Sequence, residues 1–254
     1  MAWYRSNIKQ SGGGTQFADL MALASGSTAF DLDDATLHTE ATSIPQYMFN
    51  SNTKVRDISL TNVTDVGMYS FSNASNVRNI NLPACTHIGE SAFYTCRRSS
   101  SVASGSTINL PEVLTIDANA FYEFGFYDST LEIDLTKCTT LGQGAFRAVN
   151  ASYGMVAKEV NLPAVQTIGN QAFQRATLTD LKIGANCTSL GQNIFLTATI
   201  TNLYCEATTP PTIGSNNLGS PTLSHIYVPA NSVATYKSAN GWSAFESIIE
   251  AIPT

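Results

Sequence analysis

One aromatic register runs through the whole chain. Phe49, Phe71, Phe93, Phe121, Phe146, Phe173 and Phe195 follow one another at spacings of 22, 22, 28, 25, 27 and 22 residues. Five residues before each stands a branched aliphatic: Ile44, Val66, Ile88, Ile116, Leu141, Ile168 and Leu190. Eight before stand Ala41, Val63, Cys85, Val113, Cys138, Val165 and Cys187. An alternating pair opens the unit 13 and 11 residues before the Phe, as in Ile80/Leu82 and Ile133/Leu135. One extra residue shifts that pair in the first and seventh units, Ala35/Leu37 and Leu181/Ile183. Self-similarity at such a period means stacked repeats, because one short unit cannot bury its own apolar face.

Each residue type has a physical reason at its slot. The alternating pair predicts a short strand with two side chains pointing inward. Pro163 follows Leu162 and ends the ladder, having no N–H to donate. Gly67, Gly89, Gly142, Gly169 and Gly191 are read as permitting a tight bend after the inward aliphatic. Ala172 allows close approach, and Phe173 fills the interior. Apolar residues make up 43% of the 254-residue chain, enough for a continuous core.

The strings "INLPACTHIGESAF", "INLPEVLTIDANAF" and "VNLPAVQTIGNQAF" resemble the BspA-type, or treponemal, leucine-rich repeats. The resemblance covers about residues 35–228. It implies a right-handed α/β repeat solenoid, with a parallel strand ladder on one face and short helical turns on the other. Helical caps are expected at both ends. "TQFADLMALASG" (15–26) reads as a helix stopping at Gly26. The tail reads as a last strand at Ile226–Val228, then a helix starting near Ser232. There Trp242, Phe245, Ile248 and Ile249 have helical spacing and can cover the core. The organisation is therefore one continuous domain: segment and cap 1–34, repeats 35–222, strand and cap 223–254.

The remaining motifs exclude more than they assert. A net charge of −6 without Lys/Arg runs argues against nucleic acid or anionic lipid as partner. Cys85, Cys138 and Cys187 share a slot with valines, so they are read as core thiols. Cys205 follows a strand residue, Cys96 lies in a loop, and no C-x-x-C spacing suggests zinc. "DLDDAT" (31–36) lacks the Gly and Glu of a calcium loop and reads as an acidic turn before the first repeat. His38, His87 and His225 fall at unrelated repeat positions, with no nucleophile elbow or phosphate loop nearby. The expectation is no enzyme, no metal and no cofactor.

Function is sought where the repeat lengthens. From Phe to the next strand pair the ordinary gap is eight or nine residues, but three consecutive gaps are 15, 12 and 14. Extra residues at one junction of neighbouring coils emerge along one edge. These loops supply Tyr94, Arg97, Arg98, Tyr122, Tyr127, Arg147 and Tyr153 as the candidate binding set, Tyr and Arg being the residues that dominate contact patches. Phe124 and Phe126, in the same loops, are assigned to pinning the chain. The outward strand-face residues Ser59, Asn81, Asn109, Asp134, Asn161 and Lys182 are read as a polar ladder satisfying itself, and such a face can also hold a ligand.

The expected function is a non-enzymatic interaction or adhesion module, its partner a protein or a cell-surface glycan, with no membrane insertion. The resembled family consists mostly of bacterial or protozoan surface adhesins. The first twenty residues show no signal peptide. "MAWYR" followed by Gly12–Gly14 resembles the start of small phage or prophage virion proteins, which leave by lysis. A virion or receptor-binding component and a purely structural spacer are therefore the alternatives, with action expected at a cell surface, outside the cell or in a virion.

Overall fold

The computed structural model describes residues 22–34, 41–96, 107–125, 128–149 and 154–253. Along them the chain winds into a parallel β-solenoid of about nine turns. Each coil runs through a front strand, a two-residue side strand and a tight back turn around the Phe.

The front carries two parallel sheets. Four strands make the first: Phe30–Asp33, Val55–Ser59, Asn79–Asn81 and Ile108–Asn109. Six make the second: Glu132–Asp134, Val156–Leu162, Thr177–Ile183, Thr199–Cys205, Thr222–Val228 and Ile249–Ala251. The break falls among the three long junctions. In the second sheet Val160 lies opposite Leu181 and Leu162 opposite Ile183, so inward residues stack on their counterparts. The side sheet has eight two-residue strands, from Ser43–Ile44 to Thr212–Ile213, each with an inward aliphatic.

The back forms a third hydrogen-bonded edge made of turns. Phe71 N–H donates to Ala92 O at 2.8 Å, Phe93 to Ala120 at 2.8 Å, and Phe146 to Ala172 at 2.9 Å. Residues two before and two after the Phe donate across in the same direction, as Tyr69 does to Glu90 O and Asn73 to Tyr94 O. Helical turns were expected here, and among the described residues the back coils have one short 3-10 turn, Gly214–Asn216. The cause is local. In coil after coil both flanking residues sit at positive φ, as with Tyr69 (53°) and Asn73 (59°) or Gln171 (57°) and Arg175 (61°). A right-handed helix needs consecutive negative φ. The alternation turns every second N–H toward the next coil instead of along the chain.

The Phe column is the spine. Phe49, Phe71, Phe93, Phe121 and Phe146 stack at 5.1–5.3 Å between centroids, with interplanar angles of 7° or less. Each ring is at most 3% exposed. Burying one such side chain contributes about 1.5–3 kcal/mol.

The first front strand comes earlier than the sequence suggested. Phe30–Asp33 pairs with Val55–Ser59, placing Leu32 opposite Ile58. Asp31 and Asp33 are thus strand residues, not part of a turn; the Ala35/Leu37 pair lies outside the described residues. Of the expected 15–26 helix, residues 22–25 form a helical turn ending at Gly26, and the rest lies outside them. At the other end, helix α1 (Val233–Ser238) follows the Thr222–Val228 strand. The predicted helical stripe from Trp242 does not form. A 3-10 segment, Ser243–Ile248, kinks at Phe245, and Ile249–Ala251 joins the front sheet beside Thr222–Val228. Trp242 and Ile249 are buried while Phe245 and Ile248 are only half-buried. Trp242 Nε1 donates to Pro211 O at 2.9 Å, so the indole plugs the core end from a turn.

Candidate functional site

Where a back turn leads into the next front strand, the residue after the Phe stands at a corner. Down the coils this position reads Asn50, Ser72, Tyr94, Tyr122, Arg147, Gln174 and Leu196. The repeat therefore places no aromatic requirement on it. Tyr94 and Tyr122 stack with centroids 4.6 Å apart and planes 5° from parallel. The Arg147 guanidinium lies over the Tyr122 ring, 5.7 Å from its centroid. The backbone ladder enforces this row, since Thr95 N–H donates to Tyr122 O at 2.7 Å and Glu123 N–H to Arg147 O at 2.8 Å. Burial, followed by the charge of Glu123 and the neighbouring Tyr94, pushes the Tyr122 phenol up, against the opposing pull of Arg147. It stays a neutral hydrogen-bonding tip.

Three of the seven sequence-nominated residues, Tyr94, Tyr122 and Arg147, thus meet in one row. Arg97, Arg98, Tyr127 and Tyr153 lie outside the described residues, as does Phe126. Phe124 is 1% exposed and meets Phe93 and Phe121 edge-on, with centroids at 6.0 and 5.7 Å. It pins the long junction, as assigned.

The row continues into residues that loop length did not flag. Gln174 is 6% exposed, and its Oε1 has no hydrogen-bond partner; the Nε atoms of Arg147 and Arg175 are likewise buried and unpartnered. The junction after Phe173 has ordinary length, so a search for insertions passes over it. Reading the corner position down the repeat finds Gln174 at once. At the opposite corner, two residues before the Phe, Tyr47 and Tyr69 stack at 5.2 Å, a pair the sequence reading also missed.

The front face satisfies itself. Asn81 Nδ2 donates to Ser59 Oγ at 2.9 Å, Asn109 Nδ2 to Asn81 Oδ1 at 2.7 Å, and Asn161 Nδ2 to Asp134 Oδ1 at 3.1 Å. Lys182 Nζ lies 2.6 Å from Glu159. Polar atoms engaged with their coil neighbours offer a ligand little.

On the side face His87 stands between two carboxylates. Its Nδ1 is 2.6 Å from Asp65 Oδ1 and its Nε2 is 3.0 Å from Asp117 Oδ2. Asp65 shares the register position of His87 one coil earlier. Asp117 occupies the slot that is Gly in neighbouring coils, and its side chain reaches back one coil. Pairing down that column was the available signal.

A profile of the BspA type leucine rich repeat region matches the chain over residues 26–100 and 114–240, in six copies. The match spans most of the chain and the same Phe register that builds the spine. The chain belongs to the BspA-type leucine-rich-repeat family. Among curated proteins, none matched. Repeats of this family form protein-interaction and adhesion modules, and the solenoid typically carries binding rather than catalysis.

In this BspA-type solenoid the thiols behave as core. All five cysteines are buried and free. Burial pushes Cys85 up to about 12 and Cys138 up to about 11, so neither forms a thiolate nucleophile near neutrality. In the acidic strand Asp31 meets Arg56 at 3.2 Å, and just after it Asp34 accepts from the Thr61 hydroxyl at 2.7 Å. Among the described residues no group of three or more His, Cys, Asp and Glu side chains can hold a metal ion. No helix among them is long and apolar enough to cross a membrane.

Proposed function

We propose that this BspA-type solenoid is a non-enzymatic adhesion module that grips a protein partner along the corner of Tyr94, Tyr122 and Arg147. The observation that carries the reading is the stacked row at a position where other coils carry Asn50, Ser72 or Leu196. Nothing in the packing of the coil calls for aromatics there. Rigid Tyr rings and a stacked guanidinium give large contact area at low entropic cost, as anchors of protein interfaces do. Arg97, Arg98, Tyr127 and Tyr153, which the sequence puts on the same long junctions, are included in the proposed contact.

The test is binding of labelled protein to intact bacteria, to immobilised matrix proteins and to mucin glycans, alongside a Tyr94→Ser/Tyr122→Ser variant. Saturable capture by a protein surface, weakened at least about tenfold in the variant with an unchanged Tm, is the expected result. Equal capture by wild type and variant overturns the corner as the site. Capture on bacterial cells favours a virion component reading a bacterial surface; capture on matrix protein favours an adhesin. Capture on mucin alone makes the partner a glycan, and no capture anywhere leaves a structural spacer.

A further inference from the structure

The front face changes character in its last coils. Where earlier coils place Asn81, Asn109 and Asn161 outward, the strands Thr199–Cys205 and Thr222–Val228 place Tyr204 and Tyr227. The two tyrosines are register partners, with ring centroids 5.0 Å apart. His225, two residues before Tyr227 and on the same outward side, stacks on it at 5.5 Å with planes 5° from parallel. The core behind them is filled by Leu203 and Ile226, so the packing of the coil calls for none of the three. The His225 side chain is 43% exposed and both tyrosines are half-buried, which leaves the cluster within reach of a partner.

Charge around the cluster is one-sided. The six strands of this sheet carry five carboxylates against two lysines. Both lysines are engaged, Lys158 with Glu132 and Lys182 with Glu159, each at 2.6 Å. Asp180 accepts from Asn202 Nδ2 at 2.8 Å and Glu250 lies 3.3 Å from His225 Nδ1; neither pairs with Lys or Arg among the described residues. Burial, then the charge of Asp180, pushes the Tyr204 phenol up, so that carboxylate is felt at the ring. Asp180 stands one strand before Tyr204 and Glu250 one strand after Tyr227. Those three strand steps cover about 14 Å, the span of about four extended residues. A guanidinium suits both kinds of group, since it stacks on aromatic rings and forks onto carboxylates. A neutral sugar can use the rings but gains nothing from the surplus charge.

We infer that Tyr204, Tyr227 and His225, with Asp180 and Glu250 at either end, form a docking site for an arginine-bearing extended segment of a protein partner. One guanidinium lies against the tyrosine pair, and the flanking carboxylates take its neighbours. The site is a second surface, on the front of the last coils, and does not depend on the corner row.

Fluorescein-labelled hexa-arginine, titrated with the full chain and read by fluorescence anisotropy, tests it. Saturable binding is expected, weakening as salt is raised. It should fall about fivefold or more in Tyr204→Leu/Tyr227→Leu, which keeps apolar cover but removes the rings. Should that variant fail to fold by circular dichroism, Asp180→Asn/Glu250→Gln takes its place, with a loss of the same order expected. Glu90→Gln/Glu112→Gln removes two carboxylates several coils away and is expected to bind as wild type does. Absent binding, equal loss in that control, or equal affinity in wild type and a folded site variant overturns the site. So does hexalysine binding as tightly as hexa-arginine, which reduces the attraction to net charge. Binding of chitohexaose with no binding of hexa-arginine also overturns it and makes the rings a sugar platform. Tyr94→Ser/Tyr122→Ser is expected to leave hexa-arginine binding intact, whatever it does to partner capture, so this site and the corner row fail separately.

Discussion

His87 shows how much one residue can acquire from its neighbours in the adjacent coils. A neutral imidazole has one N–H, yet both ring nitrogens face carboxylate oxygens, so only the imidazolium donates to both. Partial burial works against the charge, but hydrogen bonds to Asp65 and Asp117 outweigh it and the pKa is raised above 6.5. A raised folded-state pKa contributes stability fully present below the unfolded value, about 6.5, and lost as pH rises through the folded one. Wild type is therefore expected to show a higher Tm at pH 5.5 than at pH 8.5 by an increment that His87→Gln lacks. Melting both proteins at the two pH values checks this; identical pH dependence refutes the imidazolium bridge. The sequence showed a histidine at an unremarkable position. Its meaning depended on Asp117 replacing the usual Gly one coil away.

Among elements, the turn after the side strand repays the closest look. Its glycines were read as supplying conformational freedom. Gly169 and Gly191 have no positive φ; what they supply is space. A Cβ on Gly169 would lie 2.4 Å from Gln143 N, and one on Gly191 2.3 Å from Asn170 N, in each case against the backbone of the preceding coil. Backbone cannot swing aside like a side chain, so Gly169→Ala is expected to cost about 2–3 kcal/mol, the scale of a forced backbone shift. Urea unfolding of the variant measures it, and a loss below about 0.5 kcal/mol would contradict the close-approach account. The back turns teach the same lesson. Side-chain spacing of 22 residues is compatible with helical or turn-built backs, and the paired positive φ values around six of the seven Phe residues decide for turns.

At the scale of the molecule, stability is a sum over neighbours, since each coil touches only the next. The C-terminal end is closed by Trp242 and Tyr236, both fully buried and packed edge-to-face at 4.9 Å. Trp242→Ala removes that plug and its bond to Pro211, at an expected cost of about 3–5 kcal/mol. The damage should stay local. Amide exchange is expected to accelerate at Thr222–Val228 and Ile249–Ala251 while Val156–Leu162 keeps its protection. Uniform acceleration along the chain would mean a single cooperative unit instead.

The seven-Phe register determined the repeat architecture, the inward columns, the buried cysteine slots and the neighbourhood of the candidate site. These follow from burial alone: a periodic apolar pattern has one way to hide, by stacking. Tertiary structure alone decided that Phe30–Asp33 joins the front ladder, that Ile249–Ala251 is a strand, and that Tyr94, Tyr122 and Arg147 form one row. Those outcomes depend on which residues of adjacent coils come opposite one another, about 4.8 Å apart across a hydrogen-bonded ladder and more than twenty positions apart along the chain. The linear pattern carries the period, while the contacts belong to the stack.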